Sequence, residues 1–588
     1  MPIESVPALN ALIIPDSSGD RSTHLVLAEI GSQNYRPSVT RGVVCVRLKR
    51  RSIHWSRFLA FDVIIRGGTV VDGTGAPPVK ADIGISGDRI TAIGDIPESA
   101  SDGARIIDAS GMHISPGFID VHSHADAALL NDGQHASGVR QGVTTEIISP
   151  DGLTLAPLSA DNYKMYNWYL SGILGLAPDD LDMSSIEAAR KNYHGKTACN
   201  VAMFAAHGPI RLETAGMTDV PLKGDLLTAT KQLLRESLEQ GAVGFSTGLS
   251  YFPHSWSDTD ELCDLMEVTK EFDRPMSIHL RSHNRHRAFG GGGVAEAIEV
   301  ARRTGSKLHF EHHRTSPRSA GQIAELLEPI DKAKTEGLDI TLECYPYTVG
   351  SSFPQAYFPG YFHEGGPEPM LEILNDKAKR TEVISRMGED AYSTPGGNVW
   401  SFIGSEKYKH FEGQVFEDVA SEWGLSVEEM MCKMMVETSL ACGMRGAPPS
   451  NIAKWRQVED DVMQLLNRPD YMIGSDSISA GSVPHPRGHG CFVRFVGRLR
   501  RRQNYLIEQV IQRVTQNPAE RFGLTDRGVV AEGKFADLVV FDEQKINDRS
   551  TFDDPIAYPE GVPFVLVNGA MVVDDEEVTG IMAGQAIP

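Results

Sequence analysis

Short apolar runs recur through the middle of the chain and alternate with amphipathic stretches in which apolar residues return every three or four positions. The runs predict strands, and the stretches predict helices over 226–240, 258–272, 294–304 and 322–335. Most runs lack the in-and-out alternation of a half-exposed sheet, so these strands are expected to be buried on both faces, as in a parallel sheet. They should end near His124, Ser149, His207, Thr247, His279, His312, Tyr345 and Asp476. Eight such units fit a closed (β/α)8 TIM-like barrel better than an open sheet.

The two flanks of this body read differently. From residue 61, β-branched runs broken by turn residues predict short antiparallel strands, and 528–588 shows the same pattern. The fold expected is therefore α/β: a barrel over 116–527, with a small β-sandwich domain assembled from 61–115 and 528–588. Between the seventh and eighth strands, residues 353–470 exceed any ordinary connection and should form a lid insertion. Helices are expected within it near 370–387 and 427–437. The aromatic run from 350 to 362 should either shape an apolar pocket or pack the lid onto the barrel. Residues 1–60 are polar and then basic, and are expected to be a poorly ordered extension, a targeting arm or the product of an upstream start.

Polar residues at the strand ends carry the chemistry. In Gly-Phe-Ile-Asp-Val-His-Ser-His124, two histidines stand at i and i+2 on a strand, so His122 and His124 leave the same face. Later runs stop at His279, His312 and Asp476, and Asp151 follows the second strand. Imidazoles and carboxylates in this number suit a zinc-type divalent ion with a position open for water or substrate, whether one ion or two. Such an ion makes hydroxide available near neutral pH, and Asp476 would carry the proton as general base and then acid. The plainer readings are buried, hydrogen-bonded histidines for the pair on the first strand and a turn cap for Asp476.

Bulk properties narrow the partners. The chain has 588 residues, 41% of them hydrophobic, enough for a large core. A formal charge of −22 argues against nucleic-acid binding, which depends on basic residues neutralising phosphates. No run approaches the apolar length of a membrane span, and the seven cysteines show no paired spacing. A cytoplasmic protein acting on a small molecule is expected, and the pattern leaves its oligomeric state open.

The motifs together resemble the amidohydrolase superfamily, and within it the D-aminoacylase (N-acyl-D-amino-acid deacylase) family. The resemblance spans 61–588. It rests on Gly-Phe-Ile-Asp-Val-His-Ser-His124, Gly-Val-Thr-Thr145, Gly-Phe-Ser-Thr-Gly-Leu249, Ile-His-Leu-Arg281, Glu-His-His-Arg314, Tyr-Pro-Tyr-Thr-Val-Gly-Ser351, Ile-Gly-Ser-Asp476, His-Pro-Arg487 and Asn-Pro-Ala-Glu-Arg521. It implies hydrolysis of the amide of an N-acyl-D-amino acid, with His279 and His312 on the tighter metal and His122, His124 and Asp476 around a second position. It also implies that Arg314, Tyr345, Ser351 and Arg487 hold the substrate carboxylate, with Tyr251 in the pocket.

Two departures are visible. Arg314 stands where members of the family often have lysine, replacing a point charge with a planar fork. Asp151 stands where many relatives place a bridging cysteine, giving a harder donor. The end of the fourth strand has no lysine, which weighs against branches that use a carboxylated lysine. A cyclic-amide or dipeptide hydrolase and a non-catalytic scaffold are the competing readings.

Overall fold

In the computed structural model the described residues are 61–388 and 395–588. The expectation for 1–60 lies outside them. Eight parallel strands form the body: Phe118–Ser123 (β1), Val143–Ile148 (β2), Asn200–Met203 (β3), Phe245–Gly248 (β4), Met276–His279 (β5), Leu308–Phe310 (β6), Ile340–Cys344 (β7) and Tyr471–Ile473 (β8). Each pairs in parallel with the next, the β3–β4 pairing passing through Ala205–Ala206. The ring closes between first and last. The Asp476 N–H donates to the His122 carbonyl at 2.7 Å, and the His124 N–H donates to the Ser477 carbonyl at 3.1 Å. The bonds that close the barrel therefore run through the backbone of three expected site residues.

The outer helices follow the predicted spacing. They span Asp225–Glu239, Thr259–Glu271, Val294–Thr304 and Ile323–Thr335. Asp258 caps the second by accepting from the Glu261 N–H at 2.8 Å, which satisfies one of the free amides of its first turn. The third strand end falls where expected, since Ala205–Ala206 stops just before His207, which opens the helix His207–Ala215; Pro209 sits in its first turn, where the missing N–H costs nothing.

The described flanks of the barrel, 63–116 and 538–578, meet in one sheet. Its order is Glu577–Val578, Ala570–Asp574, Phe564–Val567, Leu538–Phe541, His113–Pro116, Val63–Val70, Val79–Ser86 and Arg89–Gly94, with Arg105–Asp108 also on Val63–Val70. Val63–Val70, Val79–Ser86 and Arg89–Gly94 are antiparallel, as expected from the sequence. Val63–Val70 also runs parallel to both Arg105–Asp108 and His113–Pro116, which the sequence did not indicate. This sheet has its own core, built on Ile65, Ile83, Ile85, Ile114, Leu538, Val540 and Leu566.

The segment between β7 and β8 also differs from expectation. Its last part, the helix Ile452–Leu466, packs against β7 and β8 and serves as a barrel helix. Val458, Val462, Leu465 and Leu466 form its buried stripe, which is why it belongs to the barrel. The insertion proper carries a three-stranded sheet of Ser351–Ser352, Cys442–Gly446 and Asn398–Ile403 with Cys442–Gly446 in the middle. The expected helix near 370–387 is two, Pro367–Asn375 and Lys377–Ser385, divided at Asp376, whose carboxylate accepts from the Ala378 and Lys379 amides. The aromatic run divides its roles. Phe358 and Phe362 stack at 4.2 Å in the core, while Tyr357 faces a cavity at the barrel rim.

His309 and His363 are sealed in this framework, and His489 is half-buried. Burial pushes His309 and His363 well below the ordinary imidazole range and His489 down to about 4. A group that is neutral when folded and protonates when unfolded makes unfolding take up a proton, so its contribution is full above pH 6.5 and is lost as pH falls toward 4. Replacing His489 with Gln should therefore flatten the pH dependence of the urea midpoint across that window. The upper bound is about 3 kcal/mol between pH 7 and pH 4, read from unfolding curves of the two proteins.

Candidate metal centre

The carboxyl ends of the strands bring together all six residues expected to bind metal. His122 leaves β1 and His124 follows it. Asp151 lies just past β2, His279 ends β5, and His312 and Asp476 follow β6 and β8. Three overlapping sets each place ligand atoms within 4.8 Å of one another: His122, His124 and Asp151; Asp151, His279 and His312; and His122, His312 and Asp476. Asp151 belongs to two of them. Its Oδ1 lies 3.4 Å from His279 Nδ1 and 3.6 Å from His312 Nε2, and its Oδ2 lies 3.5 Å from His124 Nε2. Asp476 Oδ1 is 3.3 Å from His124 Nε2 and 3.6 Å from His122 Nε2.

The backbone is bent to achieve this. Ser149, Asp151, His312 and Asp476 have φ of 72°, 57°, 33° and 53°, a left-handed conformation uncommon outside glycine. Such residues persist only where surroundings fix them. Close approach fixes this one. A Cβ on Gly248 would meet the Asp151 carbonyl at 2.3 Å, and one on Gly474 would meet His122 Cβ at 2.5 Å and Glu343 Oε2 at 2.6 Å.

Charge and burial compete at each group. Burial would depress His124, but the Asp151 and Asp476 carboxylates outweigh it and raise the imidazole to about 9. His312 is raised on the same balance, chiefly by Asp151. In His279, burial wins and the shift is downward. Burial would raise Asp151, yet the imidazoles of His279, His122 and His124 hold it well below the usual carboxylate range. Asp476 is likewise held low against burial, first by Arg487 and then by the histidines.

Several of these buried atoms have no hydrogen-bond partner among the described residues: His122 Nε2, both ring nitrogens of His124 and Asp151 Oδ1. Orphaned polar atoms in a dry site are costly. Imidazole nitrogens and carboxylate oxygens converging in this state are the donor set of a divalent cation, and the residues present fit one.

Sequence reasoning missed the residue that holds the histidines in place. Glu343, fully buried on β7, accepts from His122 Nδ1 at 2.9 Å and from the His312 N–H at 2.6 Å. It thereby orients a ring of one set and the backbone of another, the usual duty of a carboxylate behind a ligating histidine. A charged residue inside an apolar strand was the available signal. Ser250, 3.1 Å from His279 Nε2, plays a similar part.

Of the expected substrate residues, Arg314, Tyr345, Ser351 and Tyr251 border the same cavity of about 370 Å3, and Arg487 lies behind its lining. Arg314 donates to the Tyr345 hydroxyl at 3.0 Å, and Ser351 donates to the Met444 carbonyl at 2.8 Å. The Tyr251 ring lies 5.0 Å from that of His279. Arg487 is fully buried, its Nη1 2.8 Å from Asp476 Oδ2, and its Nε and Nη2 have no hydrogen-bond partner among the described residues. The guanidinium carbons of Arg314 and Arg487 each sit 4.5 Å from the centre of the Tyr345 ring.

Residues 105–360 and 444–573 match the sequence profile of the Amidohydrolase family. N-acyl-D-glutamate deacylase of Alcaligenes xylosoxydans xylosoxydans is 31% identical over 519 residues, covering 87% of this chain and 93% of the relative. The chain belongs to the amidohydrolase family, in its D-aminoacylase branch. D-aminoacylase of the same organism is 28% identical over 546 residues, covering 90% of this amidohydrolase and 97% of the relative. Among solved structures, N-acyl-D-glutamate deacylase from Bordetella bronchiseptica, complexed with zinc and a phosphonate mimic of the reaction tetrahedral intermediate, superposes with a TM-score of 0.74. It is 29% identical, covering 90% of this chain and 100% of that one.

The packing around Gly474 yields a sharp test. In this amidohydrolase, Gly474→Ala should drive His122 and Glu343 apart and lower bound metal by at least about tenfold, with the circular dichroism of the barrel retained. Metal analysis after dialysis checks this, and full occupancy in the variant contradicts the packing argument.

Proposed function

We propose that the protein hydrolyses the amide bond of N-acyl-D-amino acids, using zinc and Asp476. The observation that carries the reading is the shared Asp151 carboxylate between two histidine sets, with guanidiniums and Tyr345 beside it. Metal on one side and cations on the other suit an amide whose far end bears a carboxylate. The relatives named above act on such substrates.

In this reading His122, His124, Asp151, His279, His312 and Asp476 are the residues that would hold the zinc. Zinc, when bound, acidifies a water and polarises the carbonyl that the water attacks. Asp476 accepts the proton of the attacking water and delivers it to the leaving amine nitrogen. Arg487, in contact with Asp476, keeps that carboxyl ionised at the start of the cycle. Arg314, Tyr345, Ser351 and Arg487 bind the substrate carboxylate, and Tyr251 lines the pocket.

We assign 61–115 with 528–588 to a small β domain folded over its own apolar core, and the insertion after β7 to a lid over the rim. Its strand Cys442–Gly446 and Tyr357 border the cavity, which supports that role. No helix among the described residues is long and apolar enough to cross a membrane.

Three outcomes are expected. Wild-type protein should retain zinc through dialysis and release the acyl acid from N-acyl-D-amino acids but not from the L-enantiomers or from small cyclic imides. Stripping the metal should abolish turnover, and zinc should restore it. Asp476→Asn should keep much of the metal and lose about 10²- to 10⁴-fold in kcat. Turnover of cyclic imides alone would favour the rival hydrolase, and metal-loaded protein inert toward every acylated amino acid would defeat the assignment.

A further inference from the structure

Arg445 has no place in the chemistry described so far. It lies in the middle strand of the insertion's small sheet, directly across from Ser351, and only 4% of its surface is exposed. Its Nη2 donates to the Phe552 carbonyl at 2.9 Å and its guanidinium lies 5.2 Å from the centre of the Phe552 ring. Among the described residues no carboxylate comes within ion-pair distance of Arg445 or of Arg314. The acidic group that acts on Arg445 electrostatically is Asp553, an exposed residue.

Both arginines border the same cavity. With Arg487 they form a cluster of three guanidiniums around His485, whose imidazole is held well below its ordinary range by burial first and then by Arg487, Arg445 and Arg314. Among the described residues one carboxylate, Asp476, comes within ion-pair distance of any of these three cations, and it is already shared with the histidines. A buried cation without a counter-charge is costly unless a ligand supplies one. A single substrate carboxylate leaves one guanidinium uncompensated, and a second balances the site.

The position of the surplus cation says which part of the substrate bears the second charge. Cross-strand partners present their side chains on one face, with Cβ atoms about 5 Å apart. Arg445 therefore shares the wall that carries Ser351, on the amino-acid side of the cavity and away from the ligand set at which the scissile carbonyl must lie.

Resting on the deacylase reading above, we propose that this enzyme prefers N-acyl-D-amino acids with an acidic side chain, and that Arg445 binds the side-chain carboxylate while Arg314, Tyr345, Ser351 and Arg487 hold the α-carboxylate.

The test compares N-acetyl-D-glutamate with its neutral isostere N-acetyl-D-glutamine on the zinc-loaded full-length enzyme. The ratio of kcat/KM should favour the acid by on the order of 100-fold. Arg445→Met should collapse that ratio, and Arg445→Lys, which keeps the charge and loses the fork, should restore part of it. A wild-type ratio near or below one, with the amide and other neutral substrates hydrolysed well, overturns the inference and leaves the deacylase reading standing. An Arg445→Met variant that folds and loses both substrates equally also overturns it, because Arg445 then serves the α-carboxylate or the fold. Hydrolysis of no acylated amino acid overturns the underlying reading and the inference with it. The wild-type ratio decides the matter even if the Met variant fails to fold.

Discussion

The Asp151 carboxylate is buried among the imidazoles of four histidines, and the rim of the barrel is organised by what that burial demands. An ionised carboxylate taken out of water has to be repaid by opposite charge and by donors at short range. Here it draws positive charge onto His124 and His312 and is itself held far down the acid range. The pattern is one of mutual compensation. The metal proposed for this site would take over the compensation, satisfying at once the ring nitrogens and the carboxylate oxygen that lack partners among the described residues.

Such an arrangement persists because the backbone around it has no freedom to relax. Four left-handed residues lie in the loops that carry it, and Gly248 and Gly474 admit the neighbouring chain where any side chain would collide. Closure of the barrel adds to this, since the hydrogen bonds between the first and last strands use the backbone of His122, His124 and Asp476. Glu343 then links the His122 ring to the His312 amide. Strain, close packing and a buried carboxylate thus act on the same few atoms.

The barrel and the insertion contribute different chemistry. Strand ends supply the imidazoles and carboxylates, whose spacing is set by the closed sheet. The small sheet of the insertion supplies the opposite wall, including Ser351, Met444 and Arg445, and is hydrogen-bonded separately from the ring. A division of this kind lets the bond-breaking groups stay fixed while the side-chain pocket changes.

By itself the sequence determined the strand ends, the helices Val294–Thr304 and Val427–Glu437, and the six polar residues of the rim, because periodicity and ligand type are local properties. Its family motifs also pointed to Arg314 and Arg487 near the substrate. Only the tertiary structure decided that Ile452–Leu466 is a barrel helix, since its apolar stripe fits a barrel or a lid equally well until its neighbours are known. The same holds for Glu343, whose role depends on two histidines distant in sequence. It holds for the contact of Arg487 with Asp476 and for Arg445, which among the described residues has no carboxylate within ion-pair distance, because the placing of counter-ions is a property of the surrounding volume, which no linear pattern records.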